Sequence, residues 1–592
     1  MNLSEQIKTL FMPPVRPHSP KAELSVRTGT CGAAKDFQWL ETNIPCQKAC
    51  PAATDIPAYL TAIAEGHPDE AYRINLRDNV FPSVLGRVCS RPCESACRHG
   101  YDNLGEPVAI CFSKRSAADF SRDHVDAERD SRWQTASPVL LDPWFEPTGK
   151  RVAIVGSGVG GLAAARNLAL LGHSITVYEK HSKPGGMLNQ GIPEFRLPRE
   201  TIEHEIGQIT ALGVLIACNT EIGKTLPLAE MLDSADAVVM AAGTLKPNLP
   251  DLPGHGLPGI RHGLDFLLEV NETGKADIGG RVIVIGGGFT AMDCARTARR
   301  LGAQTAELSE DRKLKVLYRR TKQDMRVTPG ELEELDIEGI PLECHATPVA
   351  YLEQDGELAG MRFRRTSTHE EFNLSADTVL LATGQSPDTS WLGETAHPNE
   401  KLFAAGDFAL GATSLIDAIA HAKDVAAEVD TFLMGEKRIE NTILVEAAKT
   451  TGRAREMDTI DRQPMPSLPP EGRRLPNEVE LGYDETAATE EAKRCYRCHY
   501  KFEIDQDKCI RCDWCLRAKP RPECILMLKE LRHDHEGRVV SWDIANSMQE
   551  MNLIWINQDE CIRCGACIQA CPVDAISLQK VSLSSEPASH KA

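Results

Sequence analysis

The middle of the chain alternates short apolar runs with longer segments in which apolar residues recur at helical spacing. The run RVAIV at 151–155 leads into a glycine-rich turn and then into LAAARNLALLG, and RVIVI at 281–285 begins the same order again. Short apolar runs that end at glycine are typical of buried parallel strands, and the periodic segments are typical of the helices that cover them. The pattern therefore predicts two α/β units, each beginning with a strand, a tight turn and a helix.

The first turn has the glycine spacing of a dinucleotide-binding fold. Gly156, Gly158 and Gly161 allow, in that order, a tight turn, a close backbone approach to a pyrophosphate, and packing of the helix on the strand. Glu179 ends the next apolar run, where a carboxylate can accept hydrogen bonds from ribose hydroxyls. With strand, turn, helix and acid all in place, we expect a dinucleotide here.

The second turn has Gly286 and Gly288, with an alanine, Ala291, in the third position. Its next apolar run ends in KVLYRR, so Arg319 and Arg320 stand where the first unit has its acid. A guanidinium at this place favours a 2'-phosphate over a free hydroxyl, which predicts NADPH. The alternative is that the two arginines are an ordinary solvated pair on the surface.

All but three of the 20 cysteines lie near the two ends of the chain. The run that begins at Cys561 and ends at Cys571 has the Cys-x2-Cys-x2-Cys-x3-Cys-Pro spacing of a bacterial ferredoxin. In that motif three thiolates bind one four-iron cluster, and the fourth binds the neighbouring cluster. A second run has Lys519 at its fourth position, and Cys524 is the expected substitute; the alternative is a three-iron cluster. A zinc ribbon uses two Cys-x2-Cys pairs and fits less well. The predicted ligands are Cys509, Cys512, Cys515, Cys524, Cys561, Cys564, Cys567 and Cys571.

The composition of the chain limits which classes of partner and which cellular compartment are expected. A chain of 592 residues is too long for one core, and its net charge of −19 argues against nucleic acid as a partner. The acidic surface suits basic docking partners, although ordinary solvation explains it more simply. No apolar run reaches the length of a membrane helix, the first residues lack a signal pattern, and metal-spaced thiols need a reducing compartment. We therefore expect a cytoplasmic protein with no membrane span.

Taken together, these segments resemble the glutamate synthase small-subunit family, which includes the N-terminal part of dihydropyrimidine dehydrogenase. The resemblance runs from about residue 45 to residue 498 and includes GGMLNQGIPEFRLP, similar to the flavin-domain signature, and GGGFTAMDCAR, similar to the NADPH signature. It implies a multidomain α/β protein with two Rossmann-like domains of the glutathione-reductase type, FAD at the first turn and NADPH at the second. The chain departs from the family at Phe289, where members usually carry Asn, so a polar group beside the nucleotide is missing.

Further residues are assigned to the FAD site. The runs AVVMAAG and TVLLATG both end in glycine turns and are both assigned to the first unit, and Asp407 is expected to bind the ribityl chain. A helix beginning near Thr413 would direct its positive end at the flavin, where negative charge collects on reduction. The additional contacts expected with FAD are Gly186, Arg196, Gly243, Gly384, Gly406, Asp407 and Thr413.

The N-terminal cysteines resemble the helical iron-sulfur domain of the same family. By this resemblance Cys50, Cys89 and Cys93 hold one cluster, whose fourth ligand in relatives is Gln or Glu. Lys114 aligns at that position, and Cys111, one helical turn earlier, is the better candidate for the fourth ligand.

A second N-terminal cluster lacks half of its expected ligands. Relatives have one more Cys-x2-Cys pair just before the equivalent of Cys46, and this chain has none, which leaves Cys46 and Cys97 as half a site. Cys495 and Cys498 look like the missing pair moved to the other end of the chain, and we expect them to complete the cluster. The alternatives are a zinc site that includes His499, or simple packing; Cys31 is expected to be a plain buried thiol.

The motifs predict an order of domains. We expect a helical iron-sulfur domain at 1–125, a linker at 126–148, an FAD domain at 149–246 and 376–435 with an NADPH domain inserted at 247–375, an irregular strap at 436–494, and an α+β ferredoxin-like domain at 495–592.

This architecture predicts an electron-transfer oxidoreductase subunit. Electrons would move between NADP(H), FAD and three or four 4Fe-4S clusters, to or from a partner such as a 2-oxoacid:ferredoxin oxidoreductase. The alternatives are a stand-alone NADPH:ferredoxin oxidoreductase, a glutamate synthase small subunit, and a structural scaffold with a damaged nucleotide site.

Overall fold

The computed structural model describes residues 37–101, 105–121, 141–304, 314–395, 400–533 and 539–587. Cys31 and most of the predicted linker at 126–148 lie outside the described residues. Among the described helices, none is long and apolar enough to cross a membrane.

Short helices form the N-terminal domain, and five of them have proline in the first turn. Proline suits this turn because the N–H that it lacks would have no partner within the helix. Two of the helices end directly at a cysteine, Cys50 and Cys89, so the helix ends set the positions of these thiols. The α-helices span Phe37–Asn43, Pro45–Ala49, Ile56–Ala64, Pro68–Asn79, Pro82–Val88, Pro92–Ser95 and Ile110–Asp119.

The first α/β unit is built on a five-stranded parallel sheet. Its central strand, Arg151–Val155, pairs with Ser174–Tyr178 on one side and with Ala237–Met240 on the other. Leu215–Ala217 and Leu402–Ala404 are the edge strands. The helices of this unit are Val159–Leu170, Met187–Gln190, Arg199–Ala211, Leu228–Ser234, Asp407–Leu410 and Leu415–Met434.

The second unit repeats the arrangement with another five-stranded parallel sheet. In sheet order its strands are Ile260–His262, Thr378–Leu381, Val282–Ile285, Leu314–Leu317 and Leu342–Glu343, and its helices are Gly263–Thr273, Phe289–Gln304 and Pro329–Ile337. Ala346–Gln354, Glu357–Arg365 and Glu371–Ser375 add a three-stranded antiparallel sheet. Lys246–Pro247 and Gln385–Ser386 pair where the chain enters and leaves this unit.

The structure corrects the boundary between the two units. The sequence assigns the run TVLLATG to the first unit and ends the NADPH domain at residue 375, but Thr378–Leu381 pairs in parallel with Val282–Ile285. This strand holds in the second unit the position that Ala237–Met240 holds in the first. The second sheet therefore extends to Leu381, because both units need a strand at this place beside the central one.

The C-terminal region contains more regular structure than the sequence suggests. Within 436–494, expected to be irregular, lie the strand Ile439–Ala448 and the helix Glu485–Lys493. The strand pairs with Ile576–Pro587, which also pairs with Tyr500–Ile504. A second antiparallel sheet is formed by Ile525–His533, Val539–Ile544 and Leu553–Ile556, and the short helices are Trp514–Ala518 and Ala566–Ala570.

One hydrophobic core joins both ends of the chain to the first unit. It contains Leu60 and Ile110 from the N-terminal helices, Leu162 and Ile419 from the first unit, and Tyr496 from the C-terminal region. Separate cores lie beneath the second sheet and around the C-terminal cysteines. The iron-sulfur domain and the C-terminal region are therefore packed against the first unit, and are not attached by a bare linker.

A buried carboxylate fixes the C-terminal helix in this core. Glu491 is 0% exposed. Its side chain accepts hydrogen bonds from the backbone N–H of Ala109 and of Gln463 and from the Arg494 guanidinium, each at 2.7 Å. One side chain thus joins the N-terminal domain and the segment at Gln463 to the C-terminal helix, whose own cap residue Arg494 it also pairs with.

We predict that Glu491→Ala loosens this junction. The change leaves the buried N–H of Ala109 and the partly buried N–H of Gln463 without their acceptor. Arg494 loses its carboxylate partner but keeps three backbone carbonyls, so we expect a loss of about 2 to 4 kcal/mol. Hydrogen exchange of residues 460–498 should accelerate. Glu490→Ala is the matched control, because Glu490 lies one position earlier and pairs with the partly exposed Lys493. A pair of this kind typically contributes about 0.5 kcal/mol. Equal protection in both variants would contradict the assigned role.

Candidate functional site

A cavity of about 780 Å³ lies at the carboxyl end of the first sheet and is bordered by both units. Its volume lies in the range of small-molecule and cofactor sites. Gly158 lines the cavity, and no atom lies within 4 Å of where a Cβ would stand there, so the backbone is open to a ligand. At Gly161 a Cβ would lie 1.9 Å from the carbonyl oxygen of Gly156, so helix and strand pack too closely for any side chain. Both observations fit a bound pyrophosphate at this turn.

Glu179 lies where the sequence predicts it, at the rim of this cavity. Its side chain is already engaged, because it accepts hydrogen bonds from the backbone N–H and hydroxyl of Ser157, at 3.0 and 2.5 Å, and from the N–H of His181 at 2.9 Å. These bonds hold the carboxylate beside the glycine turn. A carboxylate has about four lone-pair sites, so capacity remains for a ribose hydroxyl.

The segment around Asp407 closes the other side of the cavity. Asp407 accepts hydrogen bonds from the backbone N–H and hydroxyl of Thr413, at 3.2 and 2.6 Å, and burial raises the pKa of its carboxyl. The long helix begins at Leu415, and its N-cap residue Ser414, which follows Thr413, forms a capping box with Asp417. Its N-terminus lies at the cavity, as expected for a helix whose positive end faces the flavin.

The remaining residues predicted to contact FAD also line this cavity: Gly186, Arg196, Gly243, Gly384 and Gly406. Gly384 does so although its strand belongs to the second sheet, because the turn after that strand reaches the boundary between the units.

Arg196 links the two units across the cavity. Its guanidinium donates to Asp293 at 2.7 Å and also to Glu331, and it lies 5.9 Å from the ring of Phe289. Burial raises the pKa of Asp293 to about 6, against the lowering effect of Arg196. The sequence identifies Arg196 but not Asp293, because only the fold brings the two side chains together.

The second glycine turn lies beside the predicted arginines. The ring of Tyr318 covers Gly287, where a Cβ would lie 2.5 Å from it. Arg319 and Arg320, which follow Tyr318 directly, are both exposed. Sequence reasoning missed Arg326, whose backbone N–H donates to the carbonyl of Gly287 at 3.2 Å. Arg319, Arg320 and Arg326 thus belong to segments that lie beside this turn, and their role in binding a 2'-phosphate stays a prediction.

The C-terminal cysteines form two groups. The outer ferredoxin group, Cys509, Cys512, Cys515 and Cys571, surrounds a cavity of about 20 Å³. The inner ferredoxin group consists of Cys524, Cys561, Cys564 and Cys567. Burial raises the pKa of Cys524 to about 11, with further increases from the neighbouring thiolates of Cys561 and Cys564. The fourth cysteine of each run thus lies with the other run, as predicted.

Lys519, which stands at the expected position of the fourth cysteine, shapes the loop that contains Cys524. Its ammonium donates to the carbonyl of Pro522 and, at 2.7 Å, to the carbonyl of Ile525. The lysine thereby closes the longer loop that carries Cys524 to the inner group.

The shared group consists of Cys46, Cys97, Cys495 and Cys498, which surround a second cavity of about 20 Å³. Burial raises the pKa of Cys97 to about 11 and that of Cys495 to about 12. Iron would have to displace these protons, because only the thiolate is a ligand. The backbone N–H of Arg497 lies 3.4 Å from the Cys495 sulfur, a donor suited to a negatively charged ligand.

The entry group consists of Cys50, Cys89 and Cys93, with Cys111 beside Cys89. Burial raises the pKa of Cys93, and the thiolates of Cys50 and Cys89 raise it further. The Cys111 thiol donates to the carbonyls of Leu85 and Gly86, at 3.2 and 3.3 Å. Lys114 is 4% exposed and interacts with all four thiolates of this group. The fourth ligand therefore remains a prediction.

Among the described residues, no group of three or more His, Cys, Asp or Glu side chains is arranged to hold a single metal ion. The four-iron cluster expected at the shared group stays a prediction, as does the zinc alternative.

The groups follow one another from the large cavity outward. Val88 and Ser90, which flank Cys89 of the entry group, line that cavity. Burial raises the pKa of Cys46, and the entry group's Cys93 contributes to the rise. The shared group's Cys498 likewise contributes to the raised pKa of Cys561, and the outer group's Cys515 to that of Cys567, where burial is again the main cause. Electrostatic neighbours thus connect entry, shared, inner and outer groups in that order.

Three family models match the chain. They are Pyridine nucleotide-disulphide oxidoreductase at residues 150–424, Dihydropyrimidine dehydrogenase domain II, 4Fe-4S cluster, at 40–125, and 4Fe-4S binding domain at 554–577. The first covers the residues that line the large cavity except Val88 and Ser90, the second covers those two and the entry group, and the third covers the run from Cys561 to Cys571. The match supports FAD, NADP(H) and 4Fe-4S clusters as the cofactors.

Relatives are similar along most of the chain. NADP(+)-dependent formate dehydrogenase subunit beta of Moorella thermoacetica is 32% identical, over 77% of this chain and 70% of that protein. Glutamate synthase [NADPH] small chain of Halomonas elongata is 31% identical, over 65% of this chain and 88% of that protein. The structure of Mycobacterium tuberculosis FprA in complex with NADPH is 18% identical, with a TM-score of 0.43, over 49% of this chain and 85% of that one.

We predict that the double change Arg319→Ala with Arg320→Ala weakens the binding of NADPH but not the binding of NADH. Each lost charge-assisted bond to the 2'-phosphate is worth roughly 1.5 to 3 kcal/mol. Steady-state kinetics of dye reduction with each nucleotide would measure the change in KM for NADPH and for NADH. Arg364→Ala is the control, since Arg364 is exposed in the same unit and pairs with Glu371. Equal losses for the two nucleotides would show that the pair does not recognise the phosphate.

We predict that Cys495→Ser with Cys498→Ser removes one cluster. Four clusters correspond to roughly 16 iron per chain, and the variant should lose about four while both ferredoxin groups keep theirs. Because the cluster would join the two ends of the chain, protease should cut the region before Cys495 more readily. If the iron content and the electron paramagnetic resonance spectrum are unchanged, Cys495 and Cys498 are not cluster ligands and only pack in the core.

Proposed function

The chain belongs to the glutamate synthase small-subunit family of FAD- and NADPH-dependent iron-sulfur oxidoreductases, and we propose that it transfers electrons between NADPH and a separate catalytic protein. When bound, NADPH supplies hydride, FAD accepts hydride and exchanges single electrons, and the clusters carry single electrons. The residues of the chain bind these groups, orient them and exclude water.

The observation that carries this proposal is the contact between the large cavity and the entry group. Val88 and Ser90 border the cavity, and Cys89 lies between them. Glu205, from the first unit, accepts hydrogen bonds from the N–H groups of Ser83 and Val84 at 2.6 and 3.1 Å, at the start of the helix that ends at Cys89. A side chain of the flavin unit thus fixes the helix that carries an expected cluster ligand.

The lining of the cavity supports a site in which both nucleotides come within reach of each other. The glycine turn at Gly158 belongs to the first unit, whereas Phe289, Thr290 and Asp293 belong to the second, and all of them line the cavity. Hydride transfer needs the two rings in contact in a closed site. The Arg196 bridge to Asp293 supports this by holding the two walls together.

The outer ferredoxin group supports a separate protein as the acceptor or donor. Three apolar side chains next to it are exposed: Ile510 at 62%, Trp514 at 54% and Val573 at 37%. Exposed apolar residues grouped around one feature mark interaction sites, and tryptophan is enriched in interface centres. The names of two relatives, a formate dehydrogenase subunit and a glutamate synthase small chain, assign them to different enzymes, so we leave the partner's substrate open.

One anaerobic experiment with three readouts tests the proposal: flavin bleaching by NADPH, cluster reduction by electron paramagnetic resonance, and transfer to an added bacterial 2[4Fe-4S] ferredoxin as the probe. Cys89→Ser should leave bleaching intact and slow cluster reduction at least tenfold. Ile510→Ser with Trp514→Ser should leave bleaching and cluster reduction intact and slow transfer to the probe.

Cys344→Ser is the control for the first variant, because Cys344 lies in the NADPH unit outside all four groups. Leu215→Ser, at 66% exposure on the first sheet, is the control for the second. Normal cluster reduction in Cys89→Ser would refute the proposed route, and unimpaired probe reduction in the double variant would refute the proposed exit.

A further inference from the structure

Apart from its cysteines and three polar residues, Arg98, His99 and Tyr496, the cavity of the shared group is lined by apolar side chains. Its lining includes Ile56, Leu60, Val108 and Ile110, which offer no hydrogen-bond donors from their side chains. A cluster in such a place is poorly solvated, so any N–H group directed at its sulfur atoms has a large effect on its charge state.

His99 lines this cavity and is 3% exposed. Neither of its ring nitrogens makes a hydrogen bond to another of the described residues. A buried imidazole without partners is rare, because each buried polar atom that lacks a hydrogen bond loses the water it had in the unfolded chain. The ring therefore needs a partner that the protein itself does not supply.

The neighbouring polar groups do not serve that purpose. The guanidinium of Arg98 is committed to the carbonyls of Gln558 and Thr42 and to the carboxylate of Asp559. The ring of His99 is held in place by stacking on Tyr496, with the ring centroids 4.9 Å apart. Tyr496 lies between Cys495 and Cys498 in the chain, so the stack fixes the imidazole against the ligand loop.

We propose that the His99 ring N–H donates a hydrogen bond to a sulfur of the shared cluster and thereby makes this cluster easier to reduce than it would otherwise be. The electron adds one negative charge to the cluster; no proton is transferred and no bond is broken. The N–H dipole stabilises that charge in an apolar cavity, and hydrogen bonds to sulfur are one of the factors that set cluster potentials. His99 is a positioning residue in this role and not a ligand.

This inference rests on the shared ligand set proposed above. Its placement matters because the shared group lies between the entry and inner groups. A higher potential there would draw electrons away from the entry cluster once they leave the flavin.

Redox titrations followed by electron paramagnetic resonance test the proposal. The shared cluster's signal is the one that Cys495→Ser with Cys498→Ser removes. In His99→Leu this signal should remain, and its midpoint potential should fall by about 59 mV, the equivalent of tenfold in the one-electron equilibrium. His99→Asn and His99→Gln each retain an N–H donor, and at least one of them should restore most of the potential.

His499→Leu is the matched control. His499 is 2% exposed, also has two ring nitrogens without partners among the described residues, and is adjacent to Cys498, but it does not line the cavity. In His499→Leu the midpoint potential of the shared cluster should stay at the wild-type value. An unchanged potential in His99→Leu overturns the inference, as does an equal shift in His499→Leu.

Iron content shows whether a negative result contradicts the shared ligand set or only the role of His99. If the double serine variant keeps all its iron, the shared ligand set is wrong and this inference falls with it. If that variant loses one cluster while His99→Leu leaves the potential unchanged, only the role of His99 is wrong, and the proposed electron route is unaffected.

Discussion

The rest of the structure depends on the junction where the two ends of the chain meet. Cys46 and Cys97 come from the N-terminal helices, and Cys495 and Cys498 come from a segment close to the C-terminal domain, yet all four border one small cavity. Residues from both ends of the chain enclose this cavity, and burial raises the pKa values of Cys46, Cys97 and Cys495. The common core, with Glu491 satisfying donors from three segments, provides that enclosure.

Buried positive charge makes such a junction tolerable. Arg494, Arg497 and Arg563 are each less than 5% exposed and lie close to the cysteines. They are oriented by backbone carbonyls and carboxylates: Arg497, for example, donates to Glu65 and to the carbonyl of Thr451. Arg563 opposes the effect of burial on the pKa of Cys561. A cluster with four thiolates carries net negative charge, and fixed guanidinium groups offset the cost of burying it.

The sequence predicts those features that are set by local geometry. The two glycine turns, the strands that lead to them and the ferredoxin spacing all lie within short segments, and each is present in the structure. The pairing of strands that are far apart in the chain is harder to predict from the sequence. The strand Ile439–Ala448 has no nearby partner in the sequence, and the run at Thr378–Leu381 looks the same whichever sheet it joins. Asp293 and Arg326 were missed because their roles depend on neighbours brought close only by folding.

The pairing of Cys46 and Cys97 with Cys495 and Cys498 also has a consequence for biosynthesis. The N-terminal helices leave the ribosome long before Cys495 is made, so Cys46 and Cys97 would wait as free thiols through most of translation. The proposed shared cluster would be assembled only after the segment around Cys498 has emerged and docked. Its insertion would thus be a late step in maturation, and an interrupted polypeptide that lacks this segment would lack the cluster between the flavin side and the ferredoxin side. Incomplete chains would consequently be unable to leak electrons through that route.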